Sequence, residues 1–335
     1  MTSSVGKEGQ TGGQPLGEQA EFLAEKMAEV RREISKAIVG QAEVVEGVLI
    51  ALLAGGHVLL EGAPGLGKTM LVRTLAQAVA QKYSRIQFTP DLMPADVIGT
   101  SVVQENGDGR KSLGFQPGPI FTNLLLADEI NRATPKTQSA LLEAMQEKQV
   151  TVAHTSHLLE EQFFVMATQN PLEMEGTYPL PESQLDRFML RLDLTYPALD
   201  DESRVLMRYT GVAAEPARAV SSAVPAGLVQ EARAAAERVH VSPELCAYVL
   251  ALAKASREHA QLSLGLSTRG ALALLRAARI LAGIEGAQFV AADDVKMVAP
   301  MVLPHRLMLT GDALLADVTE MDVVARILEQ VPAPR

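Results

Sequence analysis

The segment His57–Val72 reads HVLLEGAPGLGKTMLV and joins a short apolar run to a glycine-rich bend and then to a helical pattern. The bend matches GxxxxGK(S/T), a loop between a strand and a helix whose backbone N–H groups surround a polyphosphate. Glycine lets the backbone approach a ligand closely, and the helix N-terminus adds unpaired donors and a partial positive charge. The segment therefore predicts a nucleotide site formed by Gly62, Ala63, Pro64, Gly65, Leu66, Gly67, Lys68, Thr69 and Met70.

Two side chains of this loop have separate predicted tasks. Lys68 is expected to reach the β- and γ-phosphates, and the Thr69 hydroxyl is expected to ligate Mg²⁺. The alternative interpretation is a chance glycine loop with a surface lysine. Because the complete pattern lies between an apolar run and a helical pattern, we favour the nucleotide site.

Length and composition limit the classes of protein that the sequence fits. A chain of 335 residues has room for two domains, and its 47% of apolar residues suffices for real cores. No apolar run approaches the ~18 residues of a membrane span. The net charge of −10 argues against broad nonspecific DNA binding, although a local basic pore is compatible with it. The polar, glycine-rich N-terminus lacks a signal-peptide pattern, and we expect a cytoplasmic protein.

The apolar pattern along the chain predicts an α/β fold with a parallel sheet. Residues 1–20 contain five glycines and little apolar periodicity, which predicts a disordered tail. A helix is predicted from Glu21, IVGQ at residues 38–41 interrupts it, and a second helix extends to Ala54. Short apolar segments then alternate with helical ones, and they predict strands covered by helices on both faces, at residues 58–60, 85–88, 124–127, 163–167 and 188–192.

Two inserts interrupt the alternation of strands and helices. Residues 99–121 are predicted to form a hairpin around a turn rich in Asn, Gly and Asp, and residues 149–161 are predicted to form a second hairpin. His154 and His157 lie three residues apart in the second one. A metal site would need further ligands nearby, so a solvated turn is the expected structure.

After Tyr196 the composition changes to a helical, alanine-rich pattern. The predicted boundary divides an α/β domain over residues 21–199 from a small helical domain over residues 200–335, with at most one strand at its end. A linker rich in Pro, Ala and Ser is predicted over residues 212–226. The single cysteine, Cys246, cannot form an internal disulfide, and its apolar surroundings predict a buried side chain.

Two carboxylates directly follow one predicted strand. The segment LLLADEINRA, residues 124–133, ends its apolar part at Asp128 and Glu129, which places both at the carboxyl edge of the sheet, where α/β proteins bind ligands. Asp128 suits a water-mediated hold on Mg²⁺, and Glu129 can act as the general base for an attacking water. The alternative, that the pair caps the next helix, is disfavoured because that helix is predicted to begin only after Thr134.

A second apolar strand, in FFVMATQNP at residues 163–171, also ends in a polar residue. Asn170 would lie at the same edge of the sheet, where its amide can donate to a γ-phosphate and accept from the attacking water. An asparagine in a turn before proline is the common alternative, and the other motifs favour the functional role.

Two arginines are candidates for neutralising charge during phosphoryl transfer. Arg187 lies in PESQLDRFML just before an apolar strand, and such an arginine is often supplied by a neighbouring subunit. Arg269 lies in the first turn of a helix that Ser267 or Thr268 caps. The helix dipole disfavours a cation there, so an anionic partner would explain its position. A surface salt bridge is the alternative for each arginine.

In this order the motifs resemble those of the AAA+ ATPases, and their amino-acid sequences are similar to those of the MoxR family. The similarity is carried by IVGQ, LLEGAPGLGKT, IQFTPDLMPADVIGT, GPIFTNLLLADEINRA, LLEAMQEKQVTV and ATQNPLEMEGTYPLPESQLDRF. It is dense over residues 34–200 and continues more thinly to residue 310. The resemblance implies an AAA+ P-loop core with a parallel sheet, followed by a small all-α lid domain.

The resemblance also implies a role for each matched position. In the terms of that family, the positions are Walker A (Gly62–Thr69), Walker B (Asp128–Glu129), sensor 1 (Asn170), the arginine finger (Arg187) and sensor 2 (Arg269). Whether sensor 2 acts in its own subunit or in a neighbour stays open. Gly40 and Gln41 fall where the family contacts adenine, and the insert at residues 99–121 is expected near a central pore.

The sequence departs from the family pattern in small ways. STRG at residues 267–270 stands where the family often has SPRA, and Pro304 stands where a basic residue often precedes His-Arg. The proline puts in doubt any role for a basic side chain at that position, whereas the ATP chemistry is unaffected. The glycine-rich residues 1–20 have no recognised counterpart in the family.

The resemblance implies an ATP-hydrolysing, chaperone-like remodelling enzyme that uses ATP and Mg²⁺ and assembles as a homo-hexamer. Such proteins commonly act with von Willebrand factor A-domain partners in maturing protein complexes or inserting metal cofactors, and the client is unknown. A nucleic-acid motor is one alternative, which the net charge, the lack of tryptophan and the 4% of aromatic residues disfavour. A nucleotide-gated scaffold with little turnover is another, against which Glu129 and Arg187 argue.

Overall fold

The computed structural model describes residues 16–63, 65–105, 111–171, 176–210, 220–221 and 227–334. Its helices are α1 (Leu16–Ser35), α2 (Ala42–Ala54), α3 (Lys68–Ala78), α4 (Pro94–Ile98), α5 (Pro135–Glu147), α6 (Glu182–Leu185), α7 (Leu199–Thr210), α8 (Leu228–Ala236), α9 (Pro243–Arg257), α10 (Thr268–Ile284), α11 (Ala292–Val302), α12 (Gly311–Leu315) and α13 (Glu320–Gln330). Its strands are β1 (Val58–Gly62), β2 (Tyr83–Gln87), β3 (Gly99–Glu105), β4 (Lys111–Pro117), β5 (Leu124–Asp128), β6 (Gln149–Val152), β7 (Thr155–Leu158), β8 (Phe164–Gln169), β9 (Leu190–Leu194), β10 (Leu262–Leu264) and β11 (Met308–Leu309).

Five parallel strands form the central sheet in the order β2-β5-β8-β1-β9. Each of the five apolar segments predicted as strands overlaps one of them, so the predicted α/β fold with a parallel sheet is confirmed. β1 lies between β8 and β9, and its first residue, Val58, pairs with both Met166 and Leu190. Parallel neighbours need crossover connections, which the helices between the strands supply.

The side chains of β1 explain why both faces of the sheet are covered. Val58 and Leu60 belong to the apolar cluster that contains the buried residues of α2 and α3, whereas Leu59 belongs to the cluster that contains those of α5. Successive side chains of a strand point to opposite faces, so a strand that is apolar at every position requires cover on both sides. The buried residues of α8 to α11 extend the first of these two clusters.

The first two helices follow the prediction except at their ends. α1 begins at Leu16, so residues 16–20 of the predicted tail are helical, while residues 1–15 lie outside the described part of the chain. α1 ends at Ser35, before the IVGQ segment that was expected to interrupt it. α2 ends at Ala54, as predicted.

Both predicted hairpins are present. β3 and β4 pair antiparallel from Gly99 and Pro117 outwards, and the predicted turn at residues 106–110 lies outside the described residues. β6 and β7 pair around Ala153 and His154, whose φ values of 48° and 69° suit a two-residue hairpin turn. Across the described ranges, no group of three or more His, Cys, Asp and Glu side chains could hold a metal ion.

An aromatic stack joins the two hairpins. The ring of His157 lies on the ring of Phe115 with 3.7 Å between the centroids and 14° between the planes. Phe115 in turn contacts Phe121 edge to face, with 5.4 Å between the ring centroids. Because each hairpin alone is a two-stranded ribbon, this contact supplies packing that neither could form by itself.

Where it is described, the C-terminal part of the chain is helical apart from one short ribbon and an isolated bridge between His240 and Phe289. β10 and β11 pair antiparallel, which the sequence did not predict, and the strand considered at the very end is instead helix α13. Cys246 on α9 is only partly buried, so the prediction of a buried side chain was wrong. The predicted linker lies outside the described residues except for residues 220–221. Within the described ranges, every helix is too short or too polar to cross a membrane.

His57, at the start of β1, connects three elements of the core. The ring is buried, and its Nδ1 accepts from the backbone N–H of Val165 on β8 at 3.1 Å. Its Nε2 therefore carries the proton and donates to the carbonyl of Met145 on α5 at 3.2 Å. Burial lowers the pKa of His57 from 6.5 to about 4, because the charged form cannot be solvated there. The folded protein thus holds this histidine in its neutral form.

This burial predicts acid sensitivity of the fold. Unfolded chains bind a proton at His57 below pH 6.5, whereas the folded chain does so only near pH 4. The free energy of unfolding should therefore be unaffected by His57 above pH 6.5 and fall by about 3 kcal/mol as the pH drops from 6.5 to 4. Urea denaturation across this range measures it, and His57→Gln, which retains a donor but no titrating ring, should show a shallower decline. The same slope in both proteins would contradict the prediction.

Candidate active site

The carboxyl edge of the sheet brings together the segments that the sequence predicted to bind nucleotide. β1 ends at Gly62, where the phosphate loop begins, and Glu61 beside it pairs with Gln169 of β8. Asp128 is the last residue of β5, and Asn170 directly follows β8. Asn170 is 8% exposed, so its amide lies inside this edge rather than in a solvated turn. Parallel strands make this meeting necessary, because their carboxyl ends all lie on one side.

The loop after β1 has the backbone of an anion-binding site. Gly65 and Gly67 have φ values of 86° and 81°, which residues with a side chain rarely adopt. Gly67 occupies the position before α3, so it has no side chain that could cover the first N–H groups of that helix. The Lys68 ammonium donates to the carbonyl of Gly62 at 2.6 Å, which holds it over the loop. Pro64 lies outside the described residues.

Gly62 also shows why the loop tolerates only glycine at its first position. A Cβ built there would lie 2.6 Å from the carbonyl oxygen of Leu194 on β9. The loop and the adjacent strand therefore touch through backbone atoms. Thr69, the predicted ligand of Mg²⁺, is exposed in the first turn of α3, and its hydroxyl is a hard oxygen donor of the kind that Mg²⁺ prefers.

Thr168, which sequence analysis did not single out, holds the two carboxylates in place. Its Oγ1 donates to Oδ1 of Asp128 at 2.7 Å and accepts from the backbone N–H of Glu129 at 2.9 Å. Thr168 is fully buried on β8, so these bonds are shielded from water. A threonine two residues before Asn170 in the same strand is the signal in the sequence that could have indicated this residue.

Glu129 has a backbone conformation that few residues adopt. Its φ of 57° and ψ of 50° are left-handed, which costs free energy for any residue with a Cβ. It precedes a 3₁₀ turn, Ile130–Arg132, and its side chain does not cap that turn. α5 begins only at Pro135, with Thr134 at its N-cap, so neither carboxylate caps the next helix. This strained conformation turns the carboxylate toward the edge of the sheet.

Both carboxylates bond to cationic or amide donors that the sequence analysis also missed. Arg85 Nη2 donates to Oδ2 of Asp128 at 2.7 Å. Gln87 Nε2 donates to Oε2 of Glu129 at 2.7 Å, and Arg132 Nη1 donates to the same oxygen at 3.2 Å. Arg85 and Gln87 are two residues apart on β2 and so share a face, which is the pattern that could have revealed them.

Gly40 and Gln41 lie beside the phosphate loop. Gly40 has a φ of 71°, and a Cβ there would lie 2.8 Å from the side chain of Pro197. Gln41 Nε2 donates to the carbonyl of Thr195 at 2.8 Å, and Thr195 directly follows β9. Both residues line a cavity of about 550 Å³ between α1, α2 and α7. That these two residues contact adenine stays a prediction, which the family resemblance implies.

Arg187 and Arg269 lie at the opposite, amino edge of the sheet. Arg187 precedes β9, whose first residue, Leu190, pairs with the first residue of β1. With Arg269, Asp186 and His57 it lines a cavity of about 350 Å³. Because β1 rises about 3.3 Å per residue, this edge is ~13 Å from the phosphate loop of the same chain. The structure thus brings the two arginines together and separates them from the predicted phosphate site.

Asp186 and Arg306 line the same cavity as these two arginines. Arg269 Nη1 lies 4.0 Å from Oδ2 of Asp186, and the Arg269 side chain is 57% exposed. Ser267, rather than Thr268, caps α10, since its hydroxyl accepts from the N–H of Gly270 at 3.0 Å. Arg306 donates through Nε to Oδ1 of Asp186 at 2.8 Å. Burial lowers the pKa of the Arg306 guanidinium, and the charge of Asp186 opposes that shift.

Two family models match separate parts of the chain. The ATPase family associated with various cellular activities (AAA) matches residues 57–190, and the AAA lid domain matches residues 254–327. The chain is 43% identical over 328 residues to the chaperone MoxR1 of Mycobacterium tuberculosis, which covers 94% of this chain and 85% of that protein. It is 41% identical over 304 residues to the uncharacterised protein YeaC of Bacillus subtilis. That match covers 90% of this chain and 92% of YeaC.

A solved structure shows the same fold. The crystal structure of a candidate ATPase from Cytophaga hutchinsonii is 39% identical and superposes with a TM-score of 0.87. The match covers 95% of this chain and 98% of that one. The two proteins therefore share one fold over nearly their whole lengths.

The bonds of Thr168 predict a matched pair of variants. Thr168→Val keeps the shape but leaves the Glu129 N–H and the Asp128 carboxylate without their shared hydroxyl. We expect the free energy of unfolding to fall by about 1–3 kcal/mol and phosphate release from ATP to fall about tenfold. Thr168→Ser keeps the hydroxyl and should stay close to wild type in both measurements. Equal losses in the two variants would show that packing, rather than the hydroxyl, accounts for the effect.

Proposed function

The chain belongs to the MoxR family of AAA ATPases, and we propose that it hydrolyses ATP at sites that two neighbouring subunits complete. The main support for this proposal is that the charged groups are divided between the two edges of the sheet. The phosphate loop, the carboxylates and Asn170 lie at one edge, and Arg187 and Arg269 lie at the other.

The carboxyl edge is proposed to bind the nucleotide. Lys68 would exchange its bond to Gly62 for the β- and γ-phosphates, which would lie over the N–H groups that begin α3. The Thr69 hydroxyl and Asp128 would hold Mg²⁺, whose charge offsets that of the phosphates when it is bound. Gly40 and Gln41 would contact the adenine from the cavity beside them.

Glu129 is proposed as the general base and Asn170 as the residue that positions the attacking water. A carboxylate has two oxygens with about four acceptor sites, so Glu129 can accept a proton while Oε2 stays bonded to Gln87. The amide of Asn170 can donate to a γ-phosphate and accept from the water at once. Both residues lie at the edge where the phosphates are proposed to bind.

Arg187 and Arg269 are both proposed to act on the nucleotide of a neighbouring subunit. An arginine that neutralises the equatorial oxygens of the transferred phosphoryl group must reach them, and these two lie at the wrong edge of their own sheet. Their common cavity and the exposed side chain of Arg269 support a joint role toward a second chain. The sequence left open in which subunit Arg269 acts, and its place beside Arg187 supports action across the boundary.

The wider role is proposed from the family. We propose a homo-hexamer with an α/β domain over residues 21–199 and a lid over residues 200–335, acting in the cytoplasm as a chaperone-like enzyme. It would remodel partner complexes or insert cofactors, with a von Willebrand factor A-domain protein as partner. The chaperone name of the relative from Mycobacterium tuberculosis supports this role. Hydrolysis itself separates the proposal from a nucleotide-gated scaffold.

Two variants separate binding from chemistry. Lys68→Ala should abolish ATP binding, because it removes the mobile cation of the phosphate loop. Glu129→Gln should bind ATP with wild-type affinity and lose at least about 10²-fold in phosphate release, because an amide keeps the shape but cannot accept the proton. Nucleotide affinity and phosphate release, measured side by side, distinguish them. Unchanged turnover in Glu129→Gln would exclude Glu129 as the base.

Mixing variants tests whether Arg187 acts across a subunit boundary. Arg187→Ala alone should bind ATP and lose about 10³-fold in turnover, and Lys68→Ala alone should be inactive. In mixed assemblies, some sites would combine the intact loop of the first variant with the intact arginine of the second, so partial activity should return. Phosphate release is measured across mixing ratios, with light scattering as the check on assembly. No recovery in assemblies shown to be mixed would exclude action across the boundary.

A further inference from the structure

The segment that carries Arg187 is bonded to a buried arginine of the lid. Arg306 donates to the carboxylate of Asp186 at 2.8 Å and to the carbonyls of Phe188 and Met189 at 2.7 and 3.0 Å. A further bond, to the carbonyl of Val302, ties the same guanidinium to the lid. The Arg306 side chain is only 2% exposed, so water cannot replace these acceptors.

These bonds restrict Arg187 from both sides. Asp186 precedes it and is fixed through its side chain, and Phe188 follows it and is fixed through its carbonyl. The backbone dihedral angles of Arg187 therefore have little freedom, and they decide the direction in which its side chain leaves the chain. The same carboxylate lies 4.0 Å from Arg269, so one group sets the relation between both arginines.

The number of acceptors explains why an arginine is needed there. A guanidinium is planar and presents five donors in a fixed fork, whereas an ammonium offers three donors on a flexible stem. Three acceptors that belong to a segment of four residues can thus be held in one geometry by arginine and not by lysine. A group that only stabilised the fold would not require its acceptors to flank Arg187.

We infer that Arg306 is a positioning residue, which acts on the neighbouring subunit's site by holding Arg187 in the required direction. The inference rests on the proposed function, because it assumes that Arg187 neutralises charge in the transition state. Displacement of a catalytic group by about 1 Å can cost about 10²-fold in rate. A change at Arg306 should therefore lower kcat while nucleotide binding at the other edge is unaffected.

The first test compares two conservative variants of lid arginines. Arg306→Lys should lower kcat for ATP hydrolysis by about 10- to 100-fold and change KM and nucleotide affinity less than about twofold. Arg279 is the matched control, because it also donates to backbone carbonyls, those of Val239 and Glu237, but within the lid alone. Arg279→Lys should leave kcat near wild type. Wild-type kcat in Arg306→Lys, or an equal loss in Arg279→Lys, would overturn the inference.

A double-mutant cycle supplies a readout that a purely structural role would not move. When Arg187 is already alanine, there is no side chain left to position, so Arg306→Lys should lower kcat by less than about twofold further. If the two losses in kcat multiply in the double variant, Arg306 acts independently of Arg187. Its role would then be assigned to stability instead. If Arg187→Ala itself hydrolyses ATP normally, the proposed role of Arg187 fails and the inference falls with it. A loss in Arg187→Ala without one in Arg306→Lys overturns the inference alone.

A second variant covers the case in which Arg306→Lys does not fold. Asp186→Ala removes one of the acceptors that flank Arg187 and leaves the three carbonyl contacts of Arg306 in place. It should lower kcat about tenfold or more with KM unchanged, and circular dichroism and light scattering should show a folded, assembled protein. A folded Asp186→Ala variant with wild-type kcat would overturn the inference.

Discussion

The parallel pairing of β1 with β8 and β9 is the constraint on which the rest of the molecule depends. It places the end of β1, the end of β8 and the start of the loop at one edge, and the segment before β9 at the other. No side chain could cross the length of the sheet to join the two groups. The positions of the phosphate loop, the carboxylates and the arginines therefore follow from strand direction alone.

Strand direction brings the segments of the site to one edge of the sheet. Local hydrogen bonds then fix the positions of individual side chains. Asp128 and Glu129 leave β5 together, and a single buried hydroxyl, that of Thr168, bonds to the side chain of one and the backbone of the other. The left-handed backbone of Glu129 costs free energy. The buried bonds of Thr168 to the Glu129 N–H and to the Asp128 carboxylate offset that cost. The carboxylates are thus held in place before any ligand arrives, as catalysis requires.

The sequence predicts the fold and the main candidate site residues because both are encoded locally. The apolar runs identify five strands, the glycine pattern identifies the loop, and polar residues at strand ends identify Asp128 and Asn170. Contacts between distant segments could not be predicted in this way. Arg85 meets Asp128 across 43 residues and Arg306 meets Asp186 across 120 residues, and only the folded chain brings them together. The prediction that Cys246 is buried was wrong for a related reason. Apolar neighbours in the sequence do not establish which side of a helix is covered in the folded chain.

If neighbouring subunits complete each other's sites as proposed, the opposed edges also limit the kind of assembly that the chain can form. A contact between the arginine edge of one subunit and the loop edge of the next joins two unlike surfaces, so it is heterologous. Any open row of subunits then has one incomplete site at each end, a loop without arginines and arginines without a loop. Closing the row into a ring unites these two ends and removes both defects at once. The last subunit to join would therefore complete two sites, whereas the first completes none and each of the others completes one.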